Sequence, residues 1–377
     1  MEAFRFRHRK GQAVTVFVAW RDLRFAKGRF ALMGTVVVLI TLLVGLLSGL
    51  TAGLSRQNIS AITGLPADLI AFGGSGGGRE LSYAGSSVTE QQWRRWAGTP
   101  GVTSAEPLGI TTTRATAGDR SAGVGVFGVT PGSLLAPDSD RIGPRTAVLS
   151  VPAADALGVR RGDDVTLAGQ KVKVAAVRGD ASFSHVPVIW TSLDLWREAA
   201  PPAGAGGGPT ATVIALTTGS GTDVRATDRA VGTTTVGKDD SLSAIGSYAS
   251  ENGSLQLMRG FLFVISTLVV GAFFTVWTIQ RGADVAVLKA LGASTAHLLK
   301  DALGQAVVLL VGGTLAGTGL AAGVGALVAG STVPFVLTPA TVLVPAAVTV
   351  LLGVLGSALS IRRITSVDPL TALGSAR

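Results

Sequence analysis

Cysteine is absent, histidine occurs three times and tyrosine twice, and only 15 % of the 377 residues carry charge. Without cysteine there is no disulfide scaffold, no thiolate-bound zinc and no thiol nucleophile. His8, His185 and His297 stand far apart without metal-ligand spacing, which argues against a His-rich metal centre. The charged share falls well below the roughly 25 % of a soluble domain. Hydrophobic residues make up 47 %, and the mean hydropathy is +0.48. The sparse charge is also unevenly spread, and the places where it is missing decide the architecture.

Arg29 and Arg56 enclose 26 uncharged residues, Arg259 and Arg281 enclose 21, and Asp301 and Arg362 enclose 60. A helix needs about 20 apolar residues to cross a bilayer. The runs therefore predict four transmembrane α-helices, at 30–54, 259–280, 302–329 and 338–361. "STVPFVLTP" forms the turn between the last two, because Pro334 and Pro339 punctuate it. The first run is longer than the apolar part of a signal peptide and no clear A-x-A site follows it, so it reads as a retained anchor.

Charge then orients the spans. Residues 1–29 hold eight Lys/Arg against Glu2 and Asp22, a net +6; segment 281–301 is +1 and tail 362–377 is +2, while residues 30–280 balance 18 basic against 18 acidic side chains. Positive loops stay in the cytosol. The reading is a multi-pass plasma-membrane protein with both termini and 281–301 cytosolic. One large α+β extracytoplasmic domain, 55–258, is inserted between the first and second spans. The sequence pI near 10.6 is thus a topology signal. No basic patch with interleaved aromatics occurs outside the N-terminal arm, so nucleic acid is not an expected partner; lipid is. The arm itself, "FRFRHRKGQAVTVFVAWRDLRFAKGRF", reads as an amphipathic helix at the headgroup layer, as a plain positive flank, or as an extension of the first span.

In the outer segment, "DDVTLAGQKVKVAAV" alternates like two strands joined by a hairpin turn at "AGQ", and "AGVGVFGV", "HVPVIWTS" and "ATVIALTT" are further strand candidates. "SSVTEQQWRRWAG" opens as a capping box, Ser87 with Glu90, and Gly98 ends it; "VPAADALG" and "TSLDLWREA" read as short helices. "GGSGGG" (Gly73–Gly78) and "PPAGAGGGP" (Pro201–Pro209) read as flexible loops. The third span carries seven glycines between Gly312 and Gly330, including the G-x-x-x-G pairs Gly313/Gly317 and Gly319/Gly323. Small residues let membrane helices approach closely, within one subunit or across a dimer.

Other chemistry is missing. "GTTTVGKDD" (Gly232–Asp240) nearly fits a phosphate-binding loop, but Asp239 replaces the Ser/Thr that would hold Mg²⁺, and Asp239 with Asp240 would repel phosphate. It reads as an exposed turn. Apart from Arg259 at the edge of the second, no span contains a charged residue, which disfavours ion-coupled transport. No Ser-His-Asp or paired-carboxylate arrangement stands out, so no catalytic residue is assigned and the chain is not expected to be an enzyme.

"RGADVAVLKALGAST" (Arg281–Thr295) continues the second span into the cytosol. Gly292 supplies a C-terminal cap, and Ser294 or Thr295 caps the next helix. A helix, a sharp turn and a second helix make a surface that another protein can push on. These residues resemble the signature of the permease family that includes FtsX, MacB and the LolC/LolE permeases, with Asp284 where Glu is usual. "LGVRRGDDVTLAGQKVKVAAVRGD" resembles part of the MacB-type outer domain, and the tail "RRITSVDPLTALGSAR" resembles the family's usual ending.

The resemblance implies a mechanism. Two permease chains, most simply a homodimer, pair with two copies of a cytosolic ABC ATPase. That partner binds ATP and Mg²⁺, and this chain binds no cofactor of its own. The ATPase docks on a coupling helix, here Asp284, Val285, Leu288, Lys289, Gly292 and Ala293. The family implies either movement of a hydrophobic cargo out of the membrane or, as in FtsX-like members, mechanical regulation of an outer enzyme or sensor. "GRFALMGTVVVLITLLVGLLSGLTAGLSRQNISAITGLPAD" and "SYASENGSLQLMRGFLFVISTLVVGAFFTVWTIQ" are similar to the haem-exporter permeases of the HrtB type. That similarity makes haem the first cargo to consider, with Met33, Tyr248, Glu251 and Met258 as candidate cargo ligands; for each, packing is the competing role.

Overall fold

A computed structural model describes residues 27–74, 80–200, 210–280, 294–328 and 333–365. In chain order its elements begin with α1 (Lys27–Thr63), β1 (Leu69–Gly73), β2 (Val88–Thr89), α2 (Glu90–Ala97), β3 (Val102–Ala117), β4 (Arg120–Val129), β5 (Thr146–Leu149) and α3 (Val151–Leu157). There follow β6 (Asp164–Leu167), β7 (Gln170–Val177), β8 (Ser182–Phe183), β9 (Val186–Ser192), α4 (Leu193–Ala199), β10 (Thr210–Ala211) and β11 (Val213–Thr218). The chain closes with α5 (Val224–Val231), β12 (Thr233–Gly237), α6 (Gly246–Gln280), α7 (Thr295–Val328) and α8 (Pro339–Thr365). They divide into two compact units, Met1–Gly53 with Leu255–Arg377, and Leu54–Ser254.

The first unit carries helices α1, α6, α7 and α8, all long and apolar enough to cross a membrane. Each is longer than the span expected for it. α1 continues past 54 through "SRQNISAIT" to Thr63, and α6 begins at Gly246 rather than 259. Nothing in "SRQNISAIT" breaks a helix, and Ala61 and Ile62 give it a buried apolar side. Met33 and Val37 of α1 pack with Val270 and Phe274 of α6 and Ala306, Leu309 and Leu310 of α7. Phe335, in the α7–α8 connection, seats against Gly49 and Gly325, and the Val336 amide donates to the Gly49 carbonyl at 3.1 Å. Side chains larger than hydrogen at either glycine would fill that seat.

The second unit is built on one sheet in the order β12-β1-β11-β3-β4-β9-β5-β7-β6. β12, β1, β11 and β3 form an antiparallel half. β3 is 16 residues long and serves both halves. Its far end pairs with β6, Ala115 opposite Leu167, which closes β3-β4-β9-β5-β7-β6 into a ring. β4 with β9 and β5 with β7 are parallel, the remaining ring pairs antiparallel. Side-chain alternation follows the pleat: on β7 Val172, Val174 and Ala176 are buried while Lys171 and Lys173 are exposed.

Local chemistry fixes the joints. The β6–β7 hairpin turns on Ala168 and Gly169, both at positive φ (46° and 85°), with Leu167 opposite Gln170. That is the two-residue turn whose twist matches paired strands. The capping box on α2 is shifted from the expected pair. Thr89 is the cap and Gln92 closes the box, its Oε1 accepting from the Thr89 amide at 2.8 Å, because Ser87 lies before the β2 bridge that pairs Val88 with Ala211. Gly98 does end the helix. Gly109 stands opposite Gly128 on β3 and β4, and together they leave a notch into which the Trp196 ring of α4 fits.

The phosphate-loop lookalike is a strand over its middle, with the expected exposed turn confined to its ends at Gly232 and at Lys238–Asp239. Thr233–Gly237 is β12, the edge strand of the sheet, registered against Leu69–Gly73, so its inward backbone groups are committed to pairing. Lys238 donates from Nζ to the Leu65 carbonyl at 2.8 Å. Gly73, expected in a loop, is the last residue of β1 and pairs with Thr233; 75–79 and 201–209 lie outside the described residues.

Tyr83 sits under this edge. Its ring is 5.0 Å from that of Phe72 and 5.7 Å from that of Phe183, and its hydroxyl donates to Ser241 Oγ at 2.9 Å. Burial raises its pKa well above the usual phenol value of about 10, with the Ser241 bond acting the other way. The unfolded phenol ionises near pH 10 and the folded one resists, so stability is fully present below about pH 10 and declines as pH rises towards the folded value. Tyr83→Phe is expected to flatten part of that alkaline decline while costing about 1 kcal/mol at neutral pH for the lost hydrogen bond. Unfolding curves of parent and variant at about pH 8 and about pH 11 check both signs; equal alkaline slopes would contradict it.

Candidate functional site

Within the outer unit, the last turns of α1, the first turns of α6 and the tip of the β8–β9 hairpin converge on Asn58, whose exposure is 1 %. The hairpin tip is Ser184–His185, and both residues hold positive φ (51° and 65°). A two-residue turn of this kind favours Asn-Gly, so Ser-His carries strain that its surroundings must compensate. They do so with backbone bonds onto α1. The Ser184 amide donates to the Asn58 carbonyl at 2.9 Å, and the His185 amide to the Gln57 carbonyl at 3.2 Å.

The side chains complete the cluster. Ser247 of α6 donates to Asn58 Oδ1 at 2.8 Å, which leaves Ser184 Oγ to donate to Ser247 Oγ at 2.9 Å. With Oδ1 so fixed, the Asn58 amide nitrogen faces His185 Nε2 at 3.1 Å and Glu251 Oε2 at 3.5 Å. His185 Nε2 lies 2.8 Å from Glu251 Oε2, and donating there satisfies the carboxylate, while Asn58 supplies its second donor. Ser60 Oγ accepts from the Ser182 amide at 2.9 Å, and Arg56 pairs with Asp180. Ile62 of α1, Phe183 of the hairpin and Ile245 just before α6 belong to one buried cluster with Tyr83 and Phe127.

The candidate cargo ligands do not form one set. Glu251 belongs to the Asn58 cluster, and Tyr248 packs half-buried against the outer core. Met258 is exposed on α6. Met33 is buried beside Val270 and Phe274, roughly 18 Å along α6 from Met258 at 1.5 Å per residue. Among the described residues no three His, Asp or Glu side chains gather where they could hold a metal ion. A small apolar cleft, with a cavity volume of about 10 Å³, lies between α1, α7 and α8, bordered by Thr41, Thr318 and Thr341. It falls short of the ~300–1,000 Å³ of pockets for drug-sized ligands.

The glycine pairs separate by environment. A β-carbon on Gly313 would meet Val37, and one on Gly317 would meet Val38 O and Thr41, so this pair packs on α1 of the same chain. Gly319 and Gly323 have nothing within 4 Å. The coupling residues Asp284, Val285, Leu288, Lys289, Gly292 and Ala293 lie outside the described residues, as do the arm before 27 and the tail after 365. Sequence reasoning missed Asn58 and His185 as neighbours, because they are 127 positions apart. The legible signal was "SRQNIS", a polar stretch with no helix breaker directly after an apolar run.

Residues 30–234 match the sequence model of the MacB-like periplasmic core domain, and residues 257–369 that of the FtsX-like permease C-terminal region. The chain belongs to the FtsX/MacB-like permease family. As such it is an ABC transporter permease, a non-enzymatic transport subunit that works with a cytosolic ATPase. It spans the membrane several times and carries an extracytoplasmic domain. Among its relatives is a Staphylococcus haemolyticus permease named for hemin transport, HrtB, 25 % identical over 363 residues that span 95 % of this chain and 99 % of the relative. An uncharacterized ABC transporter permease of Mycobacterium bovis is 26 % identical over 372 residues, again 95 % and 99 % of the two chains. The periplasmic region of MacB from Actinobacillus actinomycetemcomitans aligns with a TM-score of 0.34 at 12 % identity, covering 48 % of this permease and 94 % of that chain.

Proposed function

We propose that this permease moves a hydrophobic cargo, hemin in the first instance, from the membrane to the outside. Two copies of a separate cytosolic ATPase drive it, and a second copy of this chain completes the pathway. The observation that carries the cargo reading is similarity to the hemin-transport permease over nearly the whole length of both chains. The charge-free interiors of the spans support it, since they offer an apolar molecule no ionic barrier and no ion-coupling group. Nucleotide chemistry belongs to the partner: Asp239 stands where a phosphate loop needs Ser or Thr, and the preceding strand is committed to β1. Net +6 on residues 1–29, with the positive 281–301 and 362–377 segments, supports cytosolic termini.

Cells lacking this chain are expected to stop growing at hemin concentrations that the parent tolerates, and the chain supplied with its ATPase restores growth. A dose series with and without the chain reads this directly. Equal tolerance would remove hemin from consideration and leave the permease assignment standing.

A further inference from the structure

We propose that Asn58, Ser184, His185 and Ser247 form a rigid joint that makes the outer turns of α1, the outer turns of α6 and the β8–β9 hairpin move as one body. Asn58 and His185 are then positioning residues for ATP-driven movement of the outer domain. Asn58 is almost wholly buried, and its side-chain oxygen and nitrogen both have partners on α6, Ser247 and Glu251, the same Glu251 that His185 of the hairpin reaches. The hairpin adds two backbone donors to α1 carbonyls, so the attachment does not depend on side chains alone. Beneath the polar layer, Ile62, Phe183 and Ile245 bind the same three elements through one apolar cluster. The Phe183 ring is 5.6 Å from Phe127 and 5.7 Å from Tyr83, which anchors the hairpin in the domain core.

The backbone of the tip points to function more strongly than the bonds do. Ser184 and His185 are two of four non-glycine residues at positive φ among those described. A hairpin selected for stability alone relaxes with Asn-Gly at this turn. Keeping Ser-His instead retains the two side chains that reach Ser247 and Glu251, at the cost of backbone strain. Stability and coupling are therefore separable here, and the joint can be tested apart from folding. The inference rests on the ATP-driven permease reading and not on the identity of the cargo.

The test uses the full chain with its ATPase in liposomes. Asp119, exposed at the β3–β4 turn, is replaced by cysteine and carries the only dye, since the chain has no native cysteine. The ATP-dependent change in dye fluorescence reports movement of the outer domain without any cargo. Ser184→Asn combined with His185→Gly relaxes the turn and removes both side chains. This double variant is expected to keep the parent's melting temperature or exceed it, to continue hydrolysing ATP, and to lose the ATP-dependent signal. Ser247→Thr keeps the hydroxyl and is expected to retain the signal. Three results would each overturn the joint: no ATP-dependent change in the dye-labelled parent, a full signal in the double variant, or a signal that falls together with the melting temperature. A negative hemin experiment leaves all of these readouts untouched.

Discussion

Leu288→Asp is expected to abolish ATP-driven transport while the chain still inserts and folds. Leu288 lies in the segment between the second and third spans, where Val285 and Leu288 are spaced as on one face of a helix and Gly292 is the residue type expected to cap it. The resemblance to the family implies that the ATPase docks on this segment. An Asp there places an unpaired carboxylate against the partner's surface on closure, and an unpaired buried charge costs about 3–5 kcal/mol. At about 1.4 kcal/mol per tenfold, that weakens docking by a hundredfold or more. Co-purification of the ATPase with tagged chain measures the docking, and ATP-driven release of hemin or of the dye signal measures its consequence. Asp284→Glu, which restores the family's more usual acid one methylene longer, serves as the control and keeps both. Undiminished co-purification with Leu288→Asp would place docking elsewhere on the cytosolic side.

The two ends of this machine were unequally legible. Charge-free runs located the four membrane helices because the bilayer imposes a length that composition alone reveals. The helices α1 and α6 run on beyond those spans, since a helix continues through polar residues when its buried side continues. Asn58 carries no mark of its own in the sequence, because its partners at Ser247 and Glu251 and its neighbour His185 are set by folding of the whole outer unit. The hairpin at Ala168–Gly169 was legible from local sequence because both strands and turn lie within 15 residues. The hairpin at Ser184–His185 carries no Gly or Asn signal, and only the surrounding tertiary bonds hold it. The shifted cap on α2 shows the same limit in miniature: Ser87 and Thr89 are equally good caps by residue type, and pairing of Val88 with Ala211 decides between them. Closure of the ring by β3 and β6 leaves no local trace at all, because it depends on the length of β3 and on a pairing 50 residues distant.

The glycine pairs of α7 carry the other large expectation. Gly317→Leu is expected to lower the melting temperature of the purified chain sharply, whereas Gly319→Leu leaves the fold of the single chain intact. Both residues lie in the same apolar helix, so insertion energy and helix propensity change alike. They differ in what stands opposite. A β-carbon at 317 would come within 2.5 Å of Val38 O and 2.8 Å of Thr41 Cβ, so α1 must move away to admit a side chain. Overpacking of this kind typically costs about 1–3 kcal/mol, and in lipid there is no hydrophobic drive between helices to restore the contact. Losing close approach of α7 to α1 also loosens the helix whose outer end carries Asn58. At 319 there is open space, filled by lipid or by a second copy of the chain. Thermal unfolding in detergent separates the two sites, and crosslinking in membranes then identifies what covers Gly319. Reduced pairing with an unchanged melting temperature assigns that face to the second copy; unchanged pairing assigns it to lipid. Equal melting temperatures for Gly317→Leu and the parent would contradict the packing of α7 on α1.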